Sequence, residues 1–389
     1  MTRRPSRLSE MPGIGVDRLG HAADALHDPA VLRLENLDTD LRPWAGALEE
    51  TRRAVDEDAA NSYLPFVGQE RLRRAATAHV ASQCGVAYDW RRACVISAGG
   101  LSGILNVLLA TIEPGDEVVL TDPIYAGLLN RVRLAGGVPR LARLVTGEDG
   151  WRLDLESFRD AVRTPRVRVV LMMSPSMPTG CVLDASEWDV VARECVEREL
   201  LLVYDAAMER ILFDGRRLLH PAALPGMADR AVTVGSASKE LRMIGWRVGW
   251  VVGPERLIPD VALVGMANVV CQVGIAMGAV AKALEAPASD VTSAVADWQR
   301  RRDVLLEELR GLDVVPPHGG WSMLLDCRRL GLSGAEASDR LLREARIAAT
   351  PMAGWGGPET ARYLRFVFSN EPGDRLAGMG ERVRRALGR

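Results

Sequence analysis

The chain alternates between two patterns of apolar and polar residues. Some segments place apolar residues three or four positions apart, which predicts amphipathic helices; they cover 43–60, 69–79, 101–111, 125–135 and 186–197. Short apolar or β-branched runs between them predict strands; they cover 93–96, 117–120, 167–173, 200–205, 231–234 and 247–252. Strands separated by helices of this length predict an α/β fold with a mainly parallel sheet and helices on both faces.

The pattern changes after Pro287. Residues 291–312 predict a long amphipathic helix, with Trp298 and Leu305 on its apolar stripe and arginines on the opposite face. Two predicted strands, 322–326 and 363–368, flank a predicted helix at 335–346. A single core rarely grows beyond about 250–300 residues. The 389 residues are therefore expected to form a large domain and a smaller α+β domain.

The apolar segment 261–281 has the length of a membrane span, which is about 20 residues. Asn268, Gln272 and three glycines interrupt it, so we interpret it as a buried or interface segment. The N-terminus lacks the apolar stretch of a signal peptide. Because 49 basic residues face 51 acidic ones, the composition gives no reason to expect binding to nucleic acid or to an anionic membrane. A cytoplasmic protein is expected from the missing signal peptide and from the cysteines. Six scattered cysteines, without a C-x-x-C pair, predict reduced thiols and no metal site.

The scarcity of lysine limits which side chains could form a Schiff base. Only two of the 49 basic residues are lysines, Lys239 and Lys282. Lys239 ends the sequence Ser236-Ala237-Ser238-Lys239 after a predicted strand, and Arg247 follows eight residues later. A lysine that forms Schiff bases needs confinement and a lowered pKa, whereas hydroxyls and an arginine suit a phosphate dianion. A cofactor with an aldehyde and a phosphate would suit both the lysine and the hydroxyls with the arginine.

This lysine segment, with Gly245-Trp246-Arg247, resembles the lysine motif of the class I/II aminotransferases of fold type I, which depend on pyridoxal 5′-phosphate. Other motifs of the family follow in the same order from about Leu32 to the C-terminus. The resemblance implies the PLP-dependent transferase fold type I. It also implies an N-terminal arm at 1–43 that belongs to the small domain, a large cofactor-binding domain at 44–286 and a small C-terminal domain at 287–389. A homodimer with shared active sites is implied as well.

The resemblance assigns the cofactor's reactive contacts. Lys239 would form the aldimine with the cofactor and carry the proton between Cα and C4′. Tyr125, in Asp122-Pro123-Ile124-Tyr125, would stack on the pyridine ring. Asp205, at the end of a predicted strand, would pair with the pyridine nitrogen and so keep the ring an electron sink.

The resemblance also assigns the anion contacts. Ser236 and Arg247 would hold the phosphate, together with the glycine turn Gly99-Gly100-Leu101. At such a turn, a helix N-terminus and bare backbone N–H groups favour an anion independently of the resemblance. Tyr63 would reach the phosphate of the partner subunit. Arg365 would clamp the substrate's α-carboxylate, and Arg362 fits that motif less well.

Two positions depart from the family's motifs. Met177 stands where an asparagine usually donates to the cofactor's O3′, and Met208 stands where a tyrosine does. A thioether cannot donate a hydrogen bond. One interpretation is that O3′ keeps more negative charge and holds the imine proton more tightly, which raises the aldimine pKa. The other is that water or another side chain donates instead, and only the packing differs.

Transamination between an L-amino acid and a 2-oxo acid is the favoured function. The alternative on the same scaffold is a PLP-dependent lyase, for instance for β-elimination from a cysteine-type substrate, or a decarboxylating or deaminating enzyme. A third class, the effector-binding module of a transcription regulator, would need a DNA-binding domain. Fewer than about 50 residues precede the main lobe, without a basic helix-turn-helix. The substrate side chain stays open, because 47 arginines nominate no particular partner for a second carboxylate.

Overall fold

The computed structural model describes residues 8, 11, 13–147 and 149–389. The remaining positions of the predicted N-terminal arm, 1–7, 9, 10 and 12, lie outside the described residues. Strands in the described part are β1 Leu32–Arg33, β2 Cys94–Ser97, β3 Glu117–Asp122, β4 Val138–Thr146, β5 Trp151–Leu153, β6 Val167–Met173, β7 Leu201–Asp205, β8 Ala231–Ser236, β9 Gly249–Val252, β10 Ser322–Asp326, β11 Ile347–Ala348, β12 Thr350–Pro351 and β13 Tyr363–Val367. Helices are α1 Val16–Asp24, α2 Ala45–Val55, α3 Glu70–Cys84, α4 Gly100–Thr111, α5 Ala126–Leu134, α6 Leu155–Val162, α7 Ala185–Glu197, α8 Ile258–Val269, α9 Gly274–Leu284, α10 Ala288–Glu308, α11 Gly334–Arg340, α12 Gly373–Leu376 and α13 Met379–Leu387.

The central sheet has eight strands in the order β2-β9-β8-β7-β6-β3-β4-β5. Strands β8, β7, β6, β3 and β4 pair in parallel, so the predicted mainly parallel sheet is confirmed. Strand β9 runs antiparallel to β2 and β8. The reason is the connection at 237–248, which carries a short 3₁₀ turn but no crossover helix, so the chain returns beside β8 in the opposite direction.

The hydrophobic pattern does not predict the two strands at one edge of this sheet. Strands β4 and β5 form an antiparallel hairpin, followed by helix α6. Strand β4 has exposed and partly buried positions along most of its length, so it lacks the apolar run by which the inner strands are recognised. Helix α13 near the C-terminus was missed as well.

A second, smaller sheet lies near the C-terminal end of the chain. Strands β10, β13 and β12 form it in that order and are antiparallel. Strand β1 joins this region, because Leu32 and Arg33 pair in parallel with Ile347 and Ala348 of β11. The predicted helix 335–346 consists of α11 and one wider turn, Leu341–Ala345.

The long helix α10 packs its aromatic stripe into the core. Trp298 and Leu305 are fully buried, and the Trp298 ring lies 5.0 Å from that of Trp321. Two arginines expected on the polar face, Arg301 and Arg302, are buried instead. They form ion pairs, Arg301 with Asp40 and Asp297 and Arg302 with Asp214 and Asp303, so the charges are compensated.

The apolar segment 261–281 forms parts of two helices, α8 and α9. The break between them contains Val270, whose φ of 67° is outside the helical region. None of the helices in the described residues is long and apolar enough to cross a membrane.

Candidate active site

A cavity of about 290 Å³ lies at the carboxyl ends of β6, β7 and β8. Met173, Asp205 and Ser236 end these strands and line the cavity. Ligands of open α/β sheets bind at this edge of the sheet. Ten of the predicted site residues line the cavity: Gly100, Leu101, Tyr125, Met177, Asp205, Met208, Ser236, Lys239, Arg247 and Arg365.

The amine of Lys239 points into this cavity from the turn after β8. Its Nζ donates to the backbone carbonyl of Leu37 at 2.7 Å and lies 4.9 Å from the centre of the Trp321 ring. Burial lowers the pKa of Lys239 to about 7, and the charges of Arg365 and Arg247 act in the same direction. A substantial neutral fraction at neutral pH is the property that a nucleophilic amine or a proton carrier needs.

The carboxylate of Asp205 is buried at the end of β7. Its Oδ1 accepts from the backbone N–H of Ala207 at 3.1 Å. Burial raises the pKa of Asp205 to about 6, although Arg131 and Lys239 oppose the shift. A buried carboxylate with this little compensation is stabilised by a cation or by a protonated ring nitrogen.

An anion cradle lies at the start of α4. Gly99 precedes this helix with a φ of 85°, and a Cβ at Gly99 would come 2.5 Å from Nη2 of Arg247. Nη1 of Arg247 donates to Oγ of Ser238 at 3.1 Å, and Oγ of Ser236 accepts from the N–H of Ser238 at 3.2 Å. Hydroxyls, a guanidinium and a helix N-terminus therefore converge as a phosphate requires.

The guanidinium of Arg365 is buried with part of its hydrogen-bonding capacity unused. Nη2 donates to Oγ1 of Thr350 at 3.1 Å and also to the carbonyl of Glu35. Nε has no partner among the described residues, and Nη1 contacts Sδ of Met177 at 3.5 Å. Burial lowers the pKa of Arg365 to about 10. A buried, charged and under-satisfied fork of this kind matches a carboxylate.

Aromatic rings form one wall of the cavity. The Tyr125 and Trp355 rings are 5.4 Å apart and tilted by 60°. Arg365 lies over the Trp355 ring, with Cζ 4.7 Å from its centre. Burial raises the pKa of Tyr125, so the phenol is neutral at ordinary pH.

Gly99, which precedes α4, and three other residues discussed with the site do not line the cavity. Tyr63 is 81% exposed, so it is free to contact another molecule. Arg362 pairs with Glu359 and Asp326. Lys282 lies on α9 with Nζ 6.0 Å from the Trp44 ring.

Several residues of the cavity wall carry no signal in the sequence. Trp355 and the segment 14–17 come from distant parts of the chain and carry no recognisable motif. Ser238 is the second of the two hydroxyls beside Lys239, but the family resemblance assigns only Ser236 to the phosphate. Contact with Arg247 identifies Ser238 as part of the cradle.

The residues present fit pyridoxal 5′-phosphate. The cradle of Gly99, Ser236, Ser238 and Arg247 suits its phosphate, and a side chain at Gly99 would intrude on Arg247. Asp205 offers a buried carboxylate to a ring nitrogen, and Lys239 offers an amine to an aldehyde. The fold and this donor set together define an aminotransferase of fold type I that depends on pyridoxal phosphate.

Comparison with known proteins agrees with this class. The family described as "Aminotransferase class I and II" matches residues 33–373, and the chain belongs to this family. Among similar proteins, an arginine–pyruvate transaminase of Pseudomonas aeruginosa is 34% identical over 327 residues, with 82% of each chain covered. A probable N-succinyldiaminopimelate aminotransferase of Mycobacterium tuberculosis is 34% identical over 303 residues, with 77% of this chain and 76% of the relative covered.

Solved structures give the same result for the fold. The N-succinyldiaminopimelate aminotransferase from Mycobacterium tuberculosis superposes with a TM-score of 0.91 at 29% identity, covering 99% of this chain and 100% of that one. The aspartate aminotransferase from Rhizobium meliloti superposes with a TM-score of 0.91 at 26% identity, and each chain is covered completely. The expected fold, cofactor and transaminase activity are confirmed, and these relatives give no support to the lyase alternative.

Proposed function

We propose that Lys239, Asp205, Arg247 and Arg365 carry the transfer of an amino group from an L-amino acid to a 2-oxo acid. The supporting observation is that an amine with a lowered pKa, a buried carboxylate and an under-satisfied guanidinium line one cavity. The amine suits the cofactor's aldehyde, the buried carboxylate suits its ring nitrogen, and the guanidinium suits the substrate's carboxylate.

The cofactor's phosphate would be held at the start of α4 by backbone N–H groups of the turn Gly99-Gly100-Leu101, with Ser236 and Arg247 opposite. Tyr125 would cover one face of the ring, and Met177 and Met208 would line the cavity beside it. When bound, pyridoxal phosphate supplies an aldehyde that reacts with amines and a ring that accepts electrons from the substrate's Cα.

Lys239 would move the proton. Since burial brings its pKa to about 7, the amine could take the proton from Cα of the substrate and deliver it to C4′ of the cofactor without a large energetic penalty. Asp205 would hold positive charge at the ring nitrogen, because its buried carboxylate is otherwise poorly compensated. Arg365 would orient the amino acid by binding its α-carboxylate through the donors that the protein leaves unused.

A product assay tests this proposal. The purified protein is incubated with amino acids and with pyruvate or 2-oxoglutarate, and the products are separated. We expect a new amino acid to accumulate in amounts equal to the 2-oxo acid formed. Release of ammonia or carbon dioxide without a new amino acid would contradict it.

We also propose that the protein is a homodimer whose active sites are shared. Large apolar side chains are exposed on and after α8, with Leu263 59%, Val270 43% and Val273 49% exposed. This surface continues to the segment of Tyr63, because a Cβ at Gly274 would meet the Ala60 carbonyl and, at 3.0 Å, the Leu64 side chain. A contiguous apolar surface of this kind is typical of subunit interfaces.

Complementation tests the role of Tyr63 across the dimer. Tyr63→Ala and Lys239→Ala would each be nearly inactive alone. If Tyr63 acts on the partner's site, each mixed dimer regains one intact site. Random mixing then restores about a quarter of the native activity, since half the dimers are mixed. If the two variants carry different affinity tags and copurify as mixed dimers, an absence of recovery would contradict sharing of the active sites.

The domain division and the location complete the proposal. Pairing of β1 with β11 supports grouping the arm 1–43 with the small domain 287–389, and the central sheet supports 44–286 as the large domain. The six cysteines are free, and five of them are buried. Free thiols of this kind support a reducing compartment, the cytoplasm.

A further inference from the structure

The segment 14–17 forms an outer wall of the cavity. The carbonyl of Ile14 accepts from Nε1 of Trp355 at 3.2 Å, which fixes this segment beside the aromatic wall. Trp355 in turn stacks on Arg365. The cavity wall therefore continues from the guanidinium of Arg365 through Trp355 to residues 14–17.

This wall is mainly apolar, with the uncharged Asn36 beside Leu37 and a charged residue at its end. Ile14, Val16, Leu37 and Trp355 line it, and they suit methylene groups. Asp17 also lines the cavity and is exposed. Its carboxylate forms no ion pair or hydrogen bond with the other described residues. The negative charge of Asp17 reaches the site, because it contributes to the raised pKa of Tyr125.

The other charged residues lining the cavity from this protomer already have partners in the proposed chemistry. Arg247 belongs to the phosphate cradle, while Lys239 and Asp205 would contact the cofactor. Arg365 is 1% exposed, and its Nε is unpartnered in the described residues, so it would bind the α-carboxylate. Asp17 is therefore the charged residue of this cavity that remains to contact the end of the substrate's side chain.

Resting on the proposed function, we infer that the preferred amino donor is an α-amino acid whose side chain is an aliphatic chain that ends in a cation. The α-carboxylate binds Arg365, the methylene groups pack on Trp355 and Val16, and the terminal ammonium or guanidinium faces Asp17. A side-chain carboxylate has no free cation on this wall among the described residues and would meet repulsion from Asp17.

Matched substrates test this inference. Values of kcat/KM are measured for L-lysine and L-arginine and for the neutral analogues L-norleucine and L-citrulline, with pyruvate as acceptor. We expect the cationic donors to be favoured by about twofold to fivefold, the range of a solvent-exposed ion pair. The preference should lie in KM and weaken at high salt.

Variants separate the charge from the packing. Asp17→Asn should remove most of the preference for cationic donors and leave kcat/KM for L-norleucine within twofold of the native value. Asp24→Asn serves as the control, because Asp24 lies on the same helix but pairs with Arg33 away from the cavity. Equal use of cationic and neutral donors by the native enzyme would overturn the inference. So would an equal loss for both donor types in Asp17→Asn.

Failure of the proposed function gives a different result. In that case no donor, cationic or neutral, yields a new amino acid. Turnover of L-norleucine without a preference for L-lysine refutes only the role of Asp17.

Discussion

The guanidinium of Arg365 contacts the sulfur of Met177, with Nη1 and Sδ 3.5 Å apart in the buried wall of the cavity. A thioether is a weak acceptor, so this contact satisfies Arg365 poorly. The nearby Nε has no partner among the described residues. The arginine is therefore held in position by Glu35, Thr350 and Trp355 while part of its fork stays available.

Arg365→Lys tests recognition of the α-carboxylate. A lysine keeps the charge but loses the planar pair of donors, so we expect KM for the amino acid to rise by about 100-fold. The absorbance of the bound cofactor should not change. The control is Arg362→Lys, because Arg362 is engaged by Glu359 and Asp326 outside the cavity. An equal rise in KM for both variants would contradict the assignment of Arg365.

Met177→Asn tests the effect of the missing hydrogen-bond donor. With methionine at both 177 and 208, we expect the visible band of the bound cofactor to titrate with a midpoint above neutral pH. An asparagine can donate to the ring oxygen and stabilise its negative charge. The variant should therefore lower the midpoint by about one unit.

The measurement is absorbance against pH on the purified holoenzyme. Met173→Leu is the control, because Met173 lines the same cavity and leucine adds no donor. A native midpoint near or below neutral would show that another group already supplies the hydrogen bond.

Lys239→Ala tests the identity of the reactive amine. It should abolish the visible absorbance that marks a Schiff base with the cofactor. Lys282→Ala should leave that absorbance intact, since Lys282 lies on α9 and does not line the cavity. With only two lysines in the chain, survival of the band in Lys239→Ala would disprove the proposed mechanism.

Gly99→Ala tests the phosphate cradle. The new Cβ would come 2.5 Å from Nη2 of Arg247, at a φ of 85° that alanine rarely adopts. Displacement of the guanidinium should weaken cofactor binding by about tenfold, which corresponds to ~1.4 kcal/mol. Gly245→Ala is the control, because a Cβ there meets no atom within 4 Å. Equilibrium dialysis of the cofactor measures both, and equal weakening would argue against steric displacement of Arg247.

The pH dependence of cofactor capture follows from Lys239. Burial lowers its pKa from the usual 10.5 to about 7 in the cofactor-free protein, and only the neutral amine attacks an aldehyde. The rate at which the visible band forms should rise about tenfold per pH unit below 7 and level off above it. Stopped-flow mixing of cofactor-free protein with pyridoxal phosphate measures this rate. A rate that keeps rising to pH 10 would indicate an ordinary lysine.

The sequence by itself determined the order of the main elements and the chemistry of the lysine segment. Apolar runs such as 167–173 predict inner strands because both faces of a central parallel strand are buried. Lys239 stands out because lysine is so rare in this chain, and Ser236 and Arg247 are close to it in sequence. Such local patterns can be recognised in the sequence because the residues that form them lie within one strand, turn or helix.

Only the tertiary structure decided which distant residues meet. Trp355 and residues 14–17 carry no motif, yet packing of the N-terminal segment against the loop before β13 brings them to one wall. Burial in the cavity that these distant segments line, together with the charges of Arg365 and Arg247, lowers the pKa of Lys239. The direction of β9 was likewise decided by the short connection after β8. These features depend on contacts between distant segments, and neither periodicity nor composition records such contacts.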